Sequence, residues 1–589
     1  MSNHTGVEIA WKNFEVKGPL TKTEKKKRKM SGLPIDDKTI IRNANGIISA
    51  GTFTAILGPS GSGKTTLLNF LANRIYYLKG LKVSGEVYIN GHSRSDIDFN
   101  SIAGYVMQDD VIMETMTVEE VLTFTAKLRL PKETWKEKVD KVINSLELHN
   151  CKHSRVGGVL KKGISGGEKK RVSIGIEMLI DPAILFLDEP TTGLDSYNSE
   201  NLVKNMRNLS KTGITVICTI HQPNSFIYAN FENVLLLGGG NTAFHGDAQQ
   251  AILHFNNLGY PCPKFSNPAE HLLALLSPID DTFNERMEAF RKSFNSEVTE
   301  LEEKEISHIF KAKESTVWEE LWMLGQRIIK NFVRNRMILL FKIIGNTVFI
   351  LLTLMAFFDI CSGTNATSVM NRAGVIFFIL VFLSFMAVNA SGAYADEKAM
   401  FIREQASKTY KPVSYFFSKL FFEAPFDLTI RVIVIFCIYL GVGLSLANPE
   451  QIFIFVGIVI LVELCARGWG TFLVISIPDL QAASAAAPFL MIIQLLFAGF
   501  FINYDNIPVY LIWLEYMSMF KYSWSAALEN EFNTWDQAKC GQAVLCDPID
   551  YFSIIISLGI NIVILACLVV AINFLAFLAL LNLSRKFRL

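Results

Sequence analysis

The chain has 589 residues, half of them hydrophobic and 19% charged, with a mean hydropathy of +0.30; an ordinary soluble protein carries about 25% charge. The deficit is uneven, with 81 Asp, Glu, Lys and Arg residues in 1–336 but 30 in 337–589, which excludes both a wholly soluble enzyme and a disordered protein. A net charge of +1 provides no global field for an acidic polymer, so no nucleic-acid partner is expected.

Taken in chain order, residues 1–30 have charged residues interrupting every apolar run, so no secretory leader is expected and the N-terminus should stay cytosolic. Thr52–Leu57 is a short β-rich run leading into Gly58-Pro59-Ser60-Gly61-Ser62-Gly63-Lys64-Thr65, with a helix-like stretch opening at Thr66. Strand, glycine-rich loop and helix are the context of a phosphate-binding loop. The glycines let backbone amides wrap phosphates, Lys64 reaches the β- and γ-phosphates, and the Thr65 hydroxyl suits Mg2+. The cofactors implied are therefore a nucleoside triphosphate and Mg2+. Gln108 follows a strand-like run at Tyr105–Met107. Ala183–Leu187 reads as a buried strand ending in Asp188-Glu189, two carboxylates at the sheet edge where nucleotide sites form. Asp188 suits a Mg2+ ligand together with Thr65 and Gln108, and Glu189 suits the group that polarises attacking water. His221 ends another β-rich run, Thr215–Ile220, in reach of a γ-phosphate.

The second half is read for spans of about 20 apolar residues, the length that crosses roughly 30 Å of hydrocarbon. Six are expected, near 338–358, 373–394, 426–447, 451–477, 483–503 and 555–582. A further apolar stretch at 507–528 carries Glu515 and Lys521. Six spans place both the Lys398–Lys419 cluster and Arg585, Lys586 and Arg588 inside, as the positive-inside rule asks; 507–528 is therefore expected to re-enter the outer interface, shielded by protein. Glu463 and Arg467 share a helical face, four residues apart, and are expected to neutralise each other. Cys540 and Cys546 fall in the outer loop, where a disulfide between them, bonds between subunits and free thiols are the alternatives. Asn365-Ala366-Thr367 is a glycosylation acceptor pattern in a short outer loop.

Ile164-Ser165-Gly166-Gly167-Glu168-Lys169-Lys170-Arg171 resembles the ABC-transporter signature. The order P-loop, Gln108, signature, Asp188-Glu189, Gly193-Leu194-Asp195-Ser196 and His221 is similar to that of an ABC nucleotide-binding domain. With the nucleotide domain first, and with Ile220-His221-Gln222-Pro223 and Asn267-Pro268-Ala269-Glu270, the chain resembles the G subfamily, the White-type half-transporters. Ile164 and Lys398 stand where that family usually has valine and arginine.

The resemblance implies an α/β P-loop NTPase of the ABC type followed by an all-α six-helix transmembrane domain. The expected division is 1–315 for the nucleotide-binding domain with its linker, 316–337 for a connecting helix, and 338–589 for the spans, with a large outer loop near 503–552. It implies ATP-hydrolysis-driven export of hydrophobic or amphipathic small molecules or lipids by a dimer, homodimer or heterodimer. Ser165, Gly166, Gly167 and Glu168 then close on nucleotide held by the partner chain, with Asp195 in the adjoining D-loop. Phe14 is the expected adenine-stacking side chain, with Val16 as the alternative. Phe385, Phe489 and Ile492 are the expected cargo contacts and Phe500-Phe501 the outer gate. A lipid floppase and a nucleotide-gated scaffold without productive turnover are the alternative readings. The expected location is the plasma membrane, multi-pass, with both termini cytosolic.

Overall fold

The computed structural model describes residues 6–20, 25, 29–30, 37–74, 80–158, 162–278, 282–294, 303–304, 313, 315–358, 365–390, 392–445, 448–502, 507–533, 535 and 547–588. They form two compact units, Met1–Ser315 with Phe587–Leu589, and Thr316–Lys586.

The first unit holds two sheets. Strands β1 (Ile9–Gly18), β2 (Lys38–Ile48), β4 (Lys82–Ile89) and β5 (His92–Ser93) form an antiparallel sheet in the order β2-β1-β4-β5. Strands β3 (Phe53–Leu57), β6 (Ala103–Val106), β7 (Ile184–Leu187), β8 (Thr215–Thr219), β9 (Asn233–Gly238) and β10 (Asn241–Asp247) form the other, in the order β10-β9-β3-β8-β7-β6. Every position of β3, β7 and β8 is buried, as parallel strands covered on both faces require, and their sequences are accordingly almost unbroken apolar runs. β6, β7, β8, β3 and β9 pair parallel, and only the β9–β10 hairpin is antiparallel. Helix α1 (Lys64–Leu71) follows β3 and buries Leu67, Leu68 and Leu71 with Ile56, Ile184 and Phe186 in one core. Each such side chain contributes about 1.5–3 kcal/mol. The topology sends the chain out of β3, β8, β7 and β6 at the same edge, so residues 58–66, 221, 188–189 and 108 converge although they are distant in sequence. Helix α2 (Gly166–Met178) and helix α3 (Ser196–Ser210) flank β7 in the chain.

The second unit is helical: α4 (Val317–Arg334), α5 (Arg336–Phe357), α6 (Ala366–Ala390), α7 (Gly392–Ala406), α8 (Pro412–Val442), α9 (Glu450–Ser476), α10 (Leu480–Leu496), α11 (Met519–Phe532) and α12 (Leu558–Arg588). Among the described residues five helices, α5, α6, α8, α9 and α12, are long and apolar enough to cross a membrane. The expected fifth span is shorter than 483–503: α10 stops at Leu496, contains Pro488, and is followed by Gly499 at φ +92°. Proline removes a backbone donor and a left-handed glycine turns the chain, so the apolar run outlasts the helix. The third span begins well before residue 426, because Pro412 at the first helical turn starts α8, which then widens into a π turn at Lys419–Glu423.

The 507–528 stretch breaks at Ser518, which caps α11. All but one residue of α11 are buried, and Lys521 pairs with Glu515, so these charges are satisfied within protein. The expected Glu463–Arg467 pair is not formed. Glu463 faces Arg431 of α8 at 3.5 Å, while Arg467 bonds Asp427 and lies 3.6 Å from Glu423, both from the same α8 segment. A shared helical face brings two side chains near each other, but the neighbouring helix offers closer opposite charges. Cys540 and Cys546 lie outside the described residues. Asn365 is exposed, and its Oδ1 accepts the Ser368 amide at 3.0 Å.

Helix α4 is pinned to the turn between α7 and α8. Arg327 donates to Glu404 at 2.7 Å, Tyr410 OH donates to Glu404 at 2.6 Å, and Glu320 accepts from Lys411 N at 2.9 Å and Ser414 Oγ at 2.5 Å. Breaking one side of such a buried ion pair costs about 3–5 kcal/mol.

Candidate active site

The loop between β3 and α1 needs glycine for two separate reasons. A Cβ on Gly58 would sit 2.4 Å from Leu237 O, and Gly63 adopts φ +98° with Ile41 2.8 Å from where a Cβ would lie. The loop thus wraps tightly and delivers the first amides of α1, which have no intrahelical acceptor, into one concavity. Lys64 and not Thr66 opens the helix. Its Nζ donates to Gly58 O at 2.8 Å and Pro59 O at 3.1 Å, which fixes the ammonium beneath the loop. Burial pulls the Lys64 pKa down, opposed by the charges of Glu189 and Asp188.

Asp188 is buried at the end of β7. Its Oδ1 accepts from Thr219 Oγ1 at 2.7 Å and from Thr65 Oγ1 at 3.2 Å, and the Tyr105 hydroxyl lies 3.4 Å from Oδ2. Burial raises the Asp188 pKa, and the Thr219 and Thr65 hydrogen bonds oppose that rise. A desolvated carboxylate meeting a P-loop hydroxyl fits a hard divalent cation. Glu189 stands at φ +43°, a left-handed conformation that costs on the order of 1 kcal/mol in a non-glycine residue and gathers at functional sites. Its Oε2 accepts from Gln108 Nε2 at 3.0 Å and Thr192 Oγ1 at 3.1 Å.

A cavity of about 720 Å³ is lined by Pro59–Thr66, Glu189 and His221 together with Ile40, Gly240 and Phe283. The structure therefore joins most of the P-loop, the candidate base and the histidine. Gln108 reaches the group through Glu189, and Asp188 through Thr65. Ser165, Gly166, Gly167, Glu168 and Asp195 do not line this cavity. They form helix caps: Ser165 and Glu168 make a reciprocal capping box on α2, and Asp195 Oδ1 accepts Asn198 N at 2.8 Å at the start of α3, each cap contributing about 1 kcal/mol.

Phe14, the expected adenine-stacking side chain, does not line this cavity. Its ring is fully buried and stacked on Phe70 at 4.0 Å, and Val16 is buried as well. The side chains near the loop on that flank are Ile40 and its neighbours in β2. Two residues escaped the sequence reading. Lys170 is almost fully buried, and its Nζ donates to Gln108 O at 2.8 Å and pairs with Asp110 at 3.0 Å, tying α2 to the Gln108 loop. Thr219 is the other, and its only sequence signal is a hydroxyl closing β8, a strand that also opens on one at Thr215.

In the second unit Phe385 is half-buried on α6, while Phe489 and Ile492 are exposed on α10. Phe500 stacks on Phe377 at 4.4 Å and meets Trp524 edge-on at 5.7 Å, whereas Phe501 is exposed.

A family model described as ABC transporter matches residues 41–192, and one described as ABC-2 type transporter matches residues 319–532. ABC transporter G family member 14 of Arabidopsis thaliana is 34% identical over 565 residues, covering 92% of this chain and 86% of its own length. ABC transporter G family member 1 of Dictyostelium discoideum is 31% identical, covering 87% of this chain and 76% of its own. The broad substrate specificity ATP-binding cassette transporter ABCG2 of Mus musculus is 33% identical over 613 residues, covering 93% and 91%.

Proposed function

The chain belongs to the G family of ABC transporters, in which an ATPase is coupled to membrane transport, and from that premise we propose that it exports hydrophobic or amphipathic small molecules or lipids as a dimer, with Mg2+ accompanying ATP. The observation that carries the reading is the meeting of the P-loop, Glu189 and His221 in one cavity, in a chain whose other unit has five span-length apolar helices among its described residues.

The residues divide the work as follows. The amides at the start of α1 and Lys64 bind the phosphates. Thr65 and Asp188, with Gln108, hold the cation, which when bound offsets the charge that develops on the transferred phosphoryl group. Glu189, oriented by Gln108 and Thr192, takes a proton from the attacking water. His221 contacts the terminal phosphate from the same edge.

The dimer is supported by the placement of the signature. Ser165 and Gly166 are exposed at the start of α2 and do not line their own chain's cavity, so their amides are available to nucleotide on a second copy. An apolar cargo is supported by the exposed Phe489, Ile492 and Phe501, since sites for such molecules are lined mostly by apolar and aromatic side chains. Cytosolic termini follow from the Lys and Arg distribution, and the plasma membrane is the proposed location. Glu189→Gln tests the reading: ATP binding persists and hydrolysis falls by about 10²-fold or more, the scale of one positioned proton acceptor. Near-normal turnover would overturn the role given to Glu189.

A further inference from the structure

Thr219 holds two hydrogen bonds that face the reaction from behind. The register of β7 with β8 pairs Leu187 with Cys218, so the next residues, Asp188 and Thr219, come opposite each other at the catalytic edge. Thr219 is wholly buried. Its hydroxyl donates its one proton to Asp188 Oδ1 at 2.7 Å and accepts the backbone N–H of Glu189 at 2.9 Å. The two bonds run in opposite senses, so a single hydroxyl is used as both donor and acceptor, and only Thr or Ser can supply it at this position.

We propose that Thr219 is a positioning residue for the nucleotide site, setting the carboxylate of Asp188 and the backbone of Glu189 with one hydroxyl. The proposal rests on the reading of Asp188 as a cation ligand and Glu189 as the proton acceptor. Without Thr219 the Asp188 carboxylate keeps the longer contacts, Thr65 on the same Oδ1 at 3.2 Å and Tyr105 near Oδ2 at 3.4 Å, and is freer to turn. Glu189 loses the amide bond that supports its φ of +43°, a backbone conformation that persists only where the surroundings over-determine it. Because His221 lies two residues beyond the end of β8, the same hydroxyl also ties the strand that leads to the histidine to the carboxylate pair. Partners of metal ligands commonly matter in this way, because they orient the ligand atom and hold it in its charged form.

The test uses the full-length chain in lipid bilayers with Thr219→Val, Thr219→Ala and Thr219→Ser. Mn2+ is titrated in the presence of a non-hydrolysable ATP analogue, with free Mn2+ read by electron paramagnetic resonance, alongside ATP turnover and the apparent melting temperature. Thr219→Val is expected to weaken Mn2+ binding about 10-fold or more and to lower kcat by a similar factor, the range seen when a ligand's partner is removed. Analogue binding without divalent cation should stay within about twofold, since the phosphate amides are untouched. Thr219→Ser should restore both quantities to within about threefold, because its hydroxyl can make the same two bonds. Thr219→Ala serves in place of the valine variant if that variant fails to melt cooperatively. Wild-type Mn2+ affinity in a folded Thr219→Val or Thr219→Ala chain overturns the proposal, as does a serine variant as impaired as the valine one. A wild-type chain that does not bind Mn2+ with the analogue overturns the underlying reading of Asp188 instead.

Discussion

Asp188→Asn should stabilise the nucleotide-free protein and destabilise the loaded one. Asp188 is buried, and burial raises its pKa despite the Thr219 and Thr65 hydroxyls. A carboxylic acid whose folded pKa is raised stabilises the fold below its unfolded value, near 3.8, and loses that contribution as pH climbs through the folded value. At pH 7 the wild-type chain therefore carries the cost of a buried charge. Asparagine keeps an acceptor for Thr219 and Thr65 and removes the charge. Without divalent cation the variant should melt higher, by about 2–4 °C for each kcal/mol relieved in a large domain. With Mg2+ and a non-hydrolysable ATP analogue at about 100 times the wild-type Kd, the wild-type chain gains about 2.7 kcal/mol by linkage, and the variant gains little. The two melting curves should exchange order when cation and analogue are added. Scanning fluorimetry of the full chain at pH 7, with and without both, reads this directly. A variant that melts lower in the absence of ligand would refute the argument, since Asp188 would then be a structural acceptor whose charge the fold needs.

Phe14→Leu should cost about 1–2 kcal/mol of apparent stability by removing its packing on Phe70, and leave the nucleotide Kd within about twofold. A fall in affinity of about fivefold or more, the scale of losing a base-stacking ring, would restore Phe14 to the binding site. A double-mutant cycle on stability should give Arg467 and Asp427 a coupling of about 1.5 kcal/mol or more and Glu463 and Arg467 one below about 0.5 kcal/mol; the reverse order would contradict the ion pairs of α8 and α9. Burial pushes His245, packed beside the Trp11 ring, down to about 4. Its neutral form is favoured in the fold, so its stabilisation is complete above about pH 6.5 and is lost as pH falls toward 4, by on the order of 1–3 kcal/mol. His245→Gln should flatten that part of the curve of melting temperature against pH, and an unchanged slope would show that other groups set it.

The sheet edge that gathers the P-loop, Glu189 and His221 was legible because its signals are local. Short, mostly apolar strands read as buried parallel strands, so the polar residue that follows each one, Gln108, Asp188 or His221, must sit at the sheet's edge. The burial of Phe14 was not legible, for a nearby reason. β1 shifts register between Trp11 and Phe14 and again before Val16, with Asn13 at φ +53°, and an irregularity of this kind decides which face a side chain takes. Strand periodicity alone does not reveal it. Glu463 and Arg467 were legible as charges in a span, but their partners belong to α8 and depend on helix packing. The short α10 was hidden because hydropathy runs past its end, whereas the backbone obeys Pro488 and Gly499. Thr219 left one of two hydroxyls in a mostly apolar strand, and its importance follows from strand register, which joins residues 31 positions apart.

The most direct test of the account is ATP hydrolysis by this chain purified alone into lipid bilayers, compared with Glu189→Gln, across a panel of sterols, phospholipids and planar aromatic compounds. The account predicts hydrolysis by the wild-type chain that at least one of these classes stimulates, and its loss by about 10²-fold or more in the variant. Hydrolysis that none of the classes alters and that survives Glu189→Gln would contradict it.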